Sequence, residues 1–254
     1  MCLINFHFLD HPIYRLIVAA NRDEFYERPT APAHFWKDKP YLLAGRDLSQ
    51  GGTWLGITKS GRFAALTNYR DPSEQKKNVK SRGEIVTDFL DSDMPADEFL
   101  KSLQQKRAEY AGFNVIVGTA DELFYYSNIE NEVKKISPGT HGLCNHFLDT
   151  PWPKVVKGKT DLRKLVEQNR VIQPGELFDI MLDAEPFPDE QLPVTGVGQQ
   201  LERVLSSLFI KSEGYGTRSS TVLLINHENN ITFVERTYRD GEFVGDRTFN
   251  FLSS

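Results

Sequence analysis

The chain has 254 residues, 39% of them hydrophobic, a formal net charge of -5 and a pI near 5.7, a balance that argues against a nucleic-acid or anionic-membrane surface. Two cysteines, Cys2 and Cys144, give no disulfide framework, which fits a reducing compartment. No apolar run approaches the ~20 residues needed to span a bilayer, and the start lacks the pattern of a secretory signal, so a cytoplasmic protein whose first residues belong to the mature chain is expected.

Residues 2–9 alternate, with Cys2, Ile4, Phe6 and Phe8 on one face and Leu3, Asn5, His7 and Leu9 on the other. That period of two predicts a strand. Asp10-His11-Pro12 makes a turn, and Tyr14 to Ala20 returns as a second strand ending in the polar cluster Asn21-Arg22-Asp23-Glu24. Three prolines and three aromatics make residues 27–42 an ordered loop. Gly51-Gly52 leads into a strand through Ile57, Lys59-Ser60-Gly61 turns, and Phe63 to Leu66 pairs back towards Thr67-Asn68-Tyr69. The glycine pair is not a phosphate loop, because a strand follows it where a helix is required.

Ser81-Arg82-Gly83-Glu84 resembles a capping box and opens a helix with Ile85, Val86, Phe89 and Leu90 on one face. Pro95 and residues 96–110 predict a second helix with Phe99, Leu100 and Leu103 inward. Strands follow at 113–117, 122–127 and 132–136, the last approaching His141-Gly142-Leu143-Cys144-Asn145-His146. After the break Pro151-Trp152-Pro153, residues 154–168, 176–184 and 199–209 have helical spacing, and 217–226, 231–239 and 242–252 form a meander. Short turns between strands imply antiparallel pairing, and two sheets with helices outside make a layered α+β domain. No repeat or linker divides the chain, so one domain over residues 1–254 is expected.

The chemistry centres on Met1-Cys2. If Met1 is removed, the carbon bearing the Cys2 thiol also carries a free α-amine, and the two titrate near ~8 and ~8.5. Nucleophile and base then sit in one residue. Attack on a carbonyl requires an oxyanion donor, and the strand-end asparagines Asn68, Asn145 and Asn21 are candidates. Arg22 and Arg218 are placed to lower a thiol pKa, while Asp23 or Glu24 can accept from the ammonium. Trp36, Trp54 and Trp152 suit a core or an acyl-binding pocket, with Tyr69 as a further supporting residue. Pocket shape is assigned to the segments 27–50 and 186–198. The group His141, Cys144, His146 and the pair His7, His11 lack the ligand count of a closed zinc site, so no metal is expected.

Several segments together resemble the NRDE family, the transport and Golgi organisation protein 2-like proteins. They are Met1-Cys2, Asn21-Arg22-Asp23-Glu24-Phe25-Tyr26, Gly51-Gly52-Thr53-Trp54, Thr67-Asn68-Tyr69, Gly142-Leu143-Cys144-Asn145, Thr150-Pro151-Trp152, Gly214-Tyr215-Gly216-Thr217-Arg218 and Thr232-Phe233-Val234-Glu235-Arg236. The resemblance spans the chain. It implies kinship with N-terminal nucleophile hydrolases of the choloylglycine hydrolase and penicillin V acylase type, and hence a four-layer αββα sandwich. Carried over, Cys2 matches the nucleophile, Asn68 an oxyanion-hole residue, Asn145 a contact to the intermediate or the amine, and Arg218 a late arginine. Those enzymes carry Arg-x-x-Asp after the second strand, whereas Arg22 and Asp23 here are adjacent. The implied function is hydrolysis of a linear amide or other acyl compound without a cofactor; the alternative is haem or acyl-CoA and lipid binding in the same cleft.

Overall fold

The computed structural model describes residues 2–73 and 79–253. Its strands in chain order are β1 (Cys2–Phe8), β2 (Tyr14–Phe25), β3 (Thr30–Phe35), β4 (Leu42–Asp47), β5 (Leu55–Thr58), β6 (Phe63–Asn68), β7 (Phe113–Gly118), β8 (Leu123–Ser127), β9 (Glu132–Lys135), β10 (Gly139–Leu143), β11 (Tyr215–Asn226), β12 (Asn230–Arg239) and β13 (Glu242–Leu252). The helices are α1 (Arg82–Leu90), α2 (Ala96–Gln105), α3 (Pro153–Val166), α4 (Pro174–Met181) and α5 (Gln199–Val204). One sheet runs β10-β1-β2-β11-β12-β13 and the other β3-β4-β5-β6-β7-β8-β9. All the paired strands are antiparallel.

Side-chain alternation sorts the chain into four layers. Ile4, Phe6, Val18 and Ala20 of the first sheet meet Leu43, Ile57, Phe63 and Ile116 of the second in a core between the sheets. The opposite faces are also apolar. Leu3, Ile17, Ala19 and Val222 pack under Val155, Leu162 and Phe178 of α3 and α4. Ala64, Leu66 and Val115 pack under Ile85, Phe89 and Leu100 of α1 and α2. This is the expected αββα sandwich. Strands covered on both faces explain why β1 is buried at all seven positions. Each fully buried side chain such as Phe6 contributes roughly 1.5–3 kcal/mol. Among the described residues, no helix is long and apolar enough to cross a membrane.

Several local expectations are corrected. Residues 30–35 form an edge strand rather than loop, with Pro32 inside a register shift between Ala31 and His34 where no ladder bond is required of it. Residues 139–143 are a strand pairing with β1, which the glycines at its ends concealed. Ser81 makes no side-chain cap bond, and Glu84, the other half of the expected box, accepts from the Tyr110 hydroxyl. A capping box forms at Gln173 and Glu176 of α4. The last helix stops at Val204, and α2 gives way to a 3₁₀ turn at Arg107–Glu109. Leu9 lies beyond β1 with φ 51° and is exposed.

Candidate functional site

Cys2 opens β1 and stands directly opposite Arg22 on β2. Opposed residues of an antiparallel pair share a face, and Ile4 and Ala20, the next row in, belong to the inter-sheet core. Cys2 and Arg22 therefore point inward at the open end of the sandwich. A cleft of about 330 Å³ lies there, a size suited to a small ligand. The first sheet contributes Cys2, Arg22, Arg218, Ser219, Glu235 and Thr237 to its walls. Trp54, Leu66, Asn68, Arg28 and Asp47 line the side of the second sheet, and Ser81, Arg82 and Gly83 bring in the start of α1. Gly52 is needed where that helix docks, since a Cβ would lie 2.6 Å from the Gly83 carbonyl carbon.

Cys2 is 8% exposed. Burial pushes its thiol up to about 11, against the pull of Arg22. It is thus protonated at neutral pH and needs a base beside it. Met1 lies outside the described residues.

Arg22 is itself nearly buried. Its Nη1 donates to Thr30 Oγ1 at 3.5 Å, and its Nη2 lies 3.7 Å from Glu24 Oε2. Glu24 is shared at 3.7 Å with Arg28, which Asp47 holds more tightly at 2.6 Å. Arg218 reaches the cleft through a β-bulge. Thr217 pairs with Asp23 and Ser219 with Arg22, leaving Arg218 as the extra residue. Its Nη1 donates to the carbonyls of Phe25 (2.8 Å) and Arg28 (3.0 Å). Burial and then the charge of Arg22 lower its pKa.

Asp23, one residue after Arg22, falls on the helix-facing side of β2. Its Oδ1 accepts from Thr217 Oγ1 at 2.8 Å. Burial raises its pKa, opposed by Lys154, the Thr217 hydroxyl and Arg22. Asn68 ends β6 on the cleft wall, and its side chain makes no hydrogen bond among the described residues. Asn145 sits behind it, fully buried. Its Nδ2 donates to the Asn68 carbonyl at 3.0 Å, and its own carbonyl accepts from Arg70 N–H at 2.7 Å.

Besides the buried Asn145, two expected site residues lie outside the cleft lining. Asn21 faces the helix layer, donating to the carbonyls of Met181 and Leu208 and accepting from Ser220 Oγ. Tyr69 bonds to His146 Nε2 at 3.1 Å and packs on Phe147, outside the cleft lining. The segment 27–50 lines the cleft, but none of 186–198 does. That second segment is tied to α5 through Thr195 and Glu202. The histidines are occupied separately, His141 by Asp149 and Ser137 O and His7 by Thr140 and Asp10 O. Among the described residues, no three His, Cys, Asp or Glu side chains are grouped to hold a metal.

Glu235, quoted above within a family segment but given no role in the site, is a cleft residue. It is 4% exposed, and its Oε1 accepts from Ala33 N–H at 2.6 Å. Its Oε2 fills the space beside Gly45, where a Cβ would lie 3.1 Å away. Burial pushes its carboxyl up to about 7, against Arg22 and Arg247. The signal for it was the period of two, since Ile231, Phe233 and Glu235 form one inward face.

A family model described as Transport and Golgi organisation 2 matches residues 1–240. The human transport and Golgi organization protein 2 homolog is 37% identical over 273 residues, covering 99% of both chains. The bovine homolog is 39% identical over 257 residues, covering 93% of each. The Drosophila melanogaster protein is 30% identical, covering 93% of this chain and 92% of its own. Among solved structures, a conjugated bile acid hydrolase mutant from Clostridium perfringens superposes with a TM-score of 0.53 at 9% identity, covering 100% of this chain and 98% of its own. A Caenorhabditis elegans ortholog of N-acylethanolamine-hydrolyzing acid amidase gives 0.52 at 9% identity, with 88% and 92% covered. At such identities these two are relatives in fold.

Proposed function

The chain belongs to the Transport and Golgi organisation 2 family, and from that footing we propose that it is an N-terminal cysteine hydrolase of a linear amide or other acyl compound. The observation that carries this reading is the placement of Cys2 opposite Arg22 at the end of the cleft, with Asp23 immediately behind. After loss of Met1, the Cys2 α-amine takes the thiol proton, and the thiolate attacks the substrate carbonyl carbon. Asn68 donates its free amide to the developing oxyanion, a contribution of about 3–4 kcal/mol. Asp23 holds the α-ammonium, which then protonates the departing amine as the thioester forms. Water, deprotonated by the same amine, attacks the thioester and releases the acid. Arg22 and Arg218 favour the thiolate.

The test is an acyl-amide panel read by amine release and by intact mass, comparing the wild type with Cys2→Ala and Cys2→Ser. Turnover by the wild type alone, with a trapped acyl adduct on Cys2, is the expected result. Equal rates for all three proteins would overturn it. A chain that keeps Met1 keeps a protonated, buried thiol. In that form the same cleft supports the carrier reading, binding haem or an acyl lipid without turnover.

A further inference from the structure

Lys154 occupies a costly place. It is the second residue of α3, 2% exposed, in a first turn without an acidic residue. A buried ammonium loses its hydration, and at a helix N-terminus it also opposes the macrodipole. Its Nζ donates to the Leu205 carbonyl at 2.9 Å and enters no ion pair among the described residues. One carbonyl does not offset that cost.

Two buried carboxylates lie on its side of the molecule: Glu202, which lines the same small cavity but is already paired with Arg70 at 2.7 Å, and Asp23. That carboxylate lies on the helix-facing side of β2 beside Asn21, whose amide reaches the Leu208 carbonyl in the same 205–208 segment that Lys154 grips. Lys154 is the strongest of the influences that counter the burial of Asp23. The other groups around the carboxylate are Thr217 and Tyr215 on β11, Cys2 on β1 and Arg22 on β2 itself. Arg22 points into the cleft, and burial holds the Tyr215 hydroxyl protonated. Other cations on the helix side are held by their own acids, Arg236 by Asp246 and Arg70 by Glu202, which leaves Lys154 for Asp23.

We propose that Lys154 is a positioning residue for Cys2, its ammonium keeping Asp23 ionised so that the carboxylate can hold the Cys2 α-ammonium. The inference rests on the hydrolase reading for its purpose, but its test needs no substrate. The Asp23 carboxyl is titrated by carbon-13 NMR in the Met1-processed protein, with Asp23→Asn assigning the signal. In Lys154→Met the Asp23 midpoint is expected to rise by one pH unit or more, while Lys154→Arg stays within about half a unit. An unchanged midpoint in Lys154→Met overturns the proposal.

If Lys154→Met folds poorly, the double variant Asp23→Asn/Lys154→Met removes both buried charges. It is expected to recover the lost stability, because a lone buried charge costs more than a missing pair. No recovery overturns the proposal equally. Where turnover is measurable, the acid limb of kcat/KM moves up with the Asp23 midpoint in Lys154→Met and stays in place in Lys154→Arg. A protein without turnover whose Asp23 still shifts sinks the hydrolase reading and leaves the Lys154–Asp23 coupling standing.

Discussion

Cys2 and Arg22 face one another across β1 and β2, so a thiol and a guanidinium share one wall of the cleft, while Asp23 touches the cleft at its edge and turns its carboxylate to Thr217 on the helix-facing side. Alternation in a strand turns neighbours to opposite faces. Adjacent residues can therefore serve two sides of one site, the arginine towards the ligand and the aspartate towards the cysteine's own backbone. The tight Arg22-Asp23 spacing is compatible with both roles.

Processing decides whether the cysteine is armed. The intact mass of the purified protein is expected to lack one methionine residue. Cys2 is then expected to alkylate well ahead of Cys144, which packs in the helix-side core and donates to Asn145 Oδ1. Retained Met1 with equally slow thiols would leave the nucleophile without its base.

Asn68→Ala removes the amide that faces the cleft without disturbing the carbonyl that Asn145 holds. Loss of one oxyanion donor lowers kcat by about 10²–10³, and KM is expected to change little. A change confined to KM would assign Asn68 to ground-state binding instead.

Glu235 makes stability depend on pH with a sign opposite to the usual carboxylate. Burial raises its pKa from the ordinary 4.5 to about 7. Between those values the folded protein keeps a proton that the unfolded chain has released. Stability therefore falls as pH rises through that window, by about 3 kcal/mol in all, and levels off above it. Glu235→Gln is expected to flatten this slope in guanidinium unfolding at pH 5 and 8. An unchanged difference between the two pH values would contradict the assignment.

Glu202 closes a buried network. It pairs with Arg70 at 2.7 Å, both side chains being at most 6% exposed, and accepts from Thr195 N–H and Oγ1. Glu202→Ala breaks this buried pair and is expected to cost about 3–5 kcal/mol in denaturant unfolding. Since segment 186–198 does not line the cleft, turnover at low temperature is expected to persist.

The layers were legible because period-two and period-four patterns are set by burial, and burial is what each element experiences on its own face. Cys2, Arg22, Asp23, Asn68 and Arg218 could be named from their positions at strand ends. Asn21 and Tyr69 share those strand ends but face away from the cleft, a difference that register alone decides. Strand β3 was hidden by Pro32 and β10 by its glycines, since a bulge and a flexible strand both dilute the pattern. Lys154 and Glu235 were passed over for a different reason. Each is a charge on an otherwise apolar face, and its meaning depends on a partner more than a hundred residues away.

The back-to-back placement of Arg22 and Asp23 gives β2 a fixed reading frame. Adding or deleting one residue between Tyr14 and Asn21 turns the arginine towards the helices and the acid into the cleft, exchanging both functions at once. The Asp10-His11-Pro12 turn lies outside that frame and can change length without reversing the strand. A designer grafting new loops onto this scaffold thus has more freedom at the hairpin tip, provided the bonds of His11 to Ile13, Tyr14 and His227 are replaced, than along the strand. Single-residue indels there are expected to be more damaging than most point substitutions in the cleft itself.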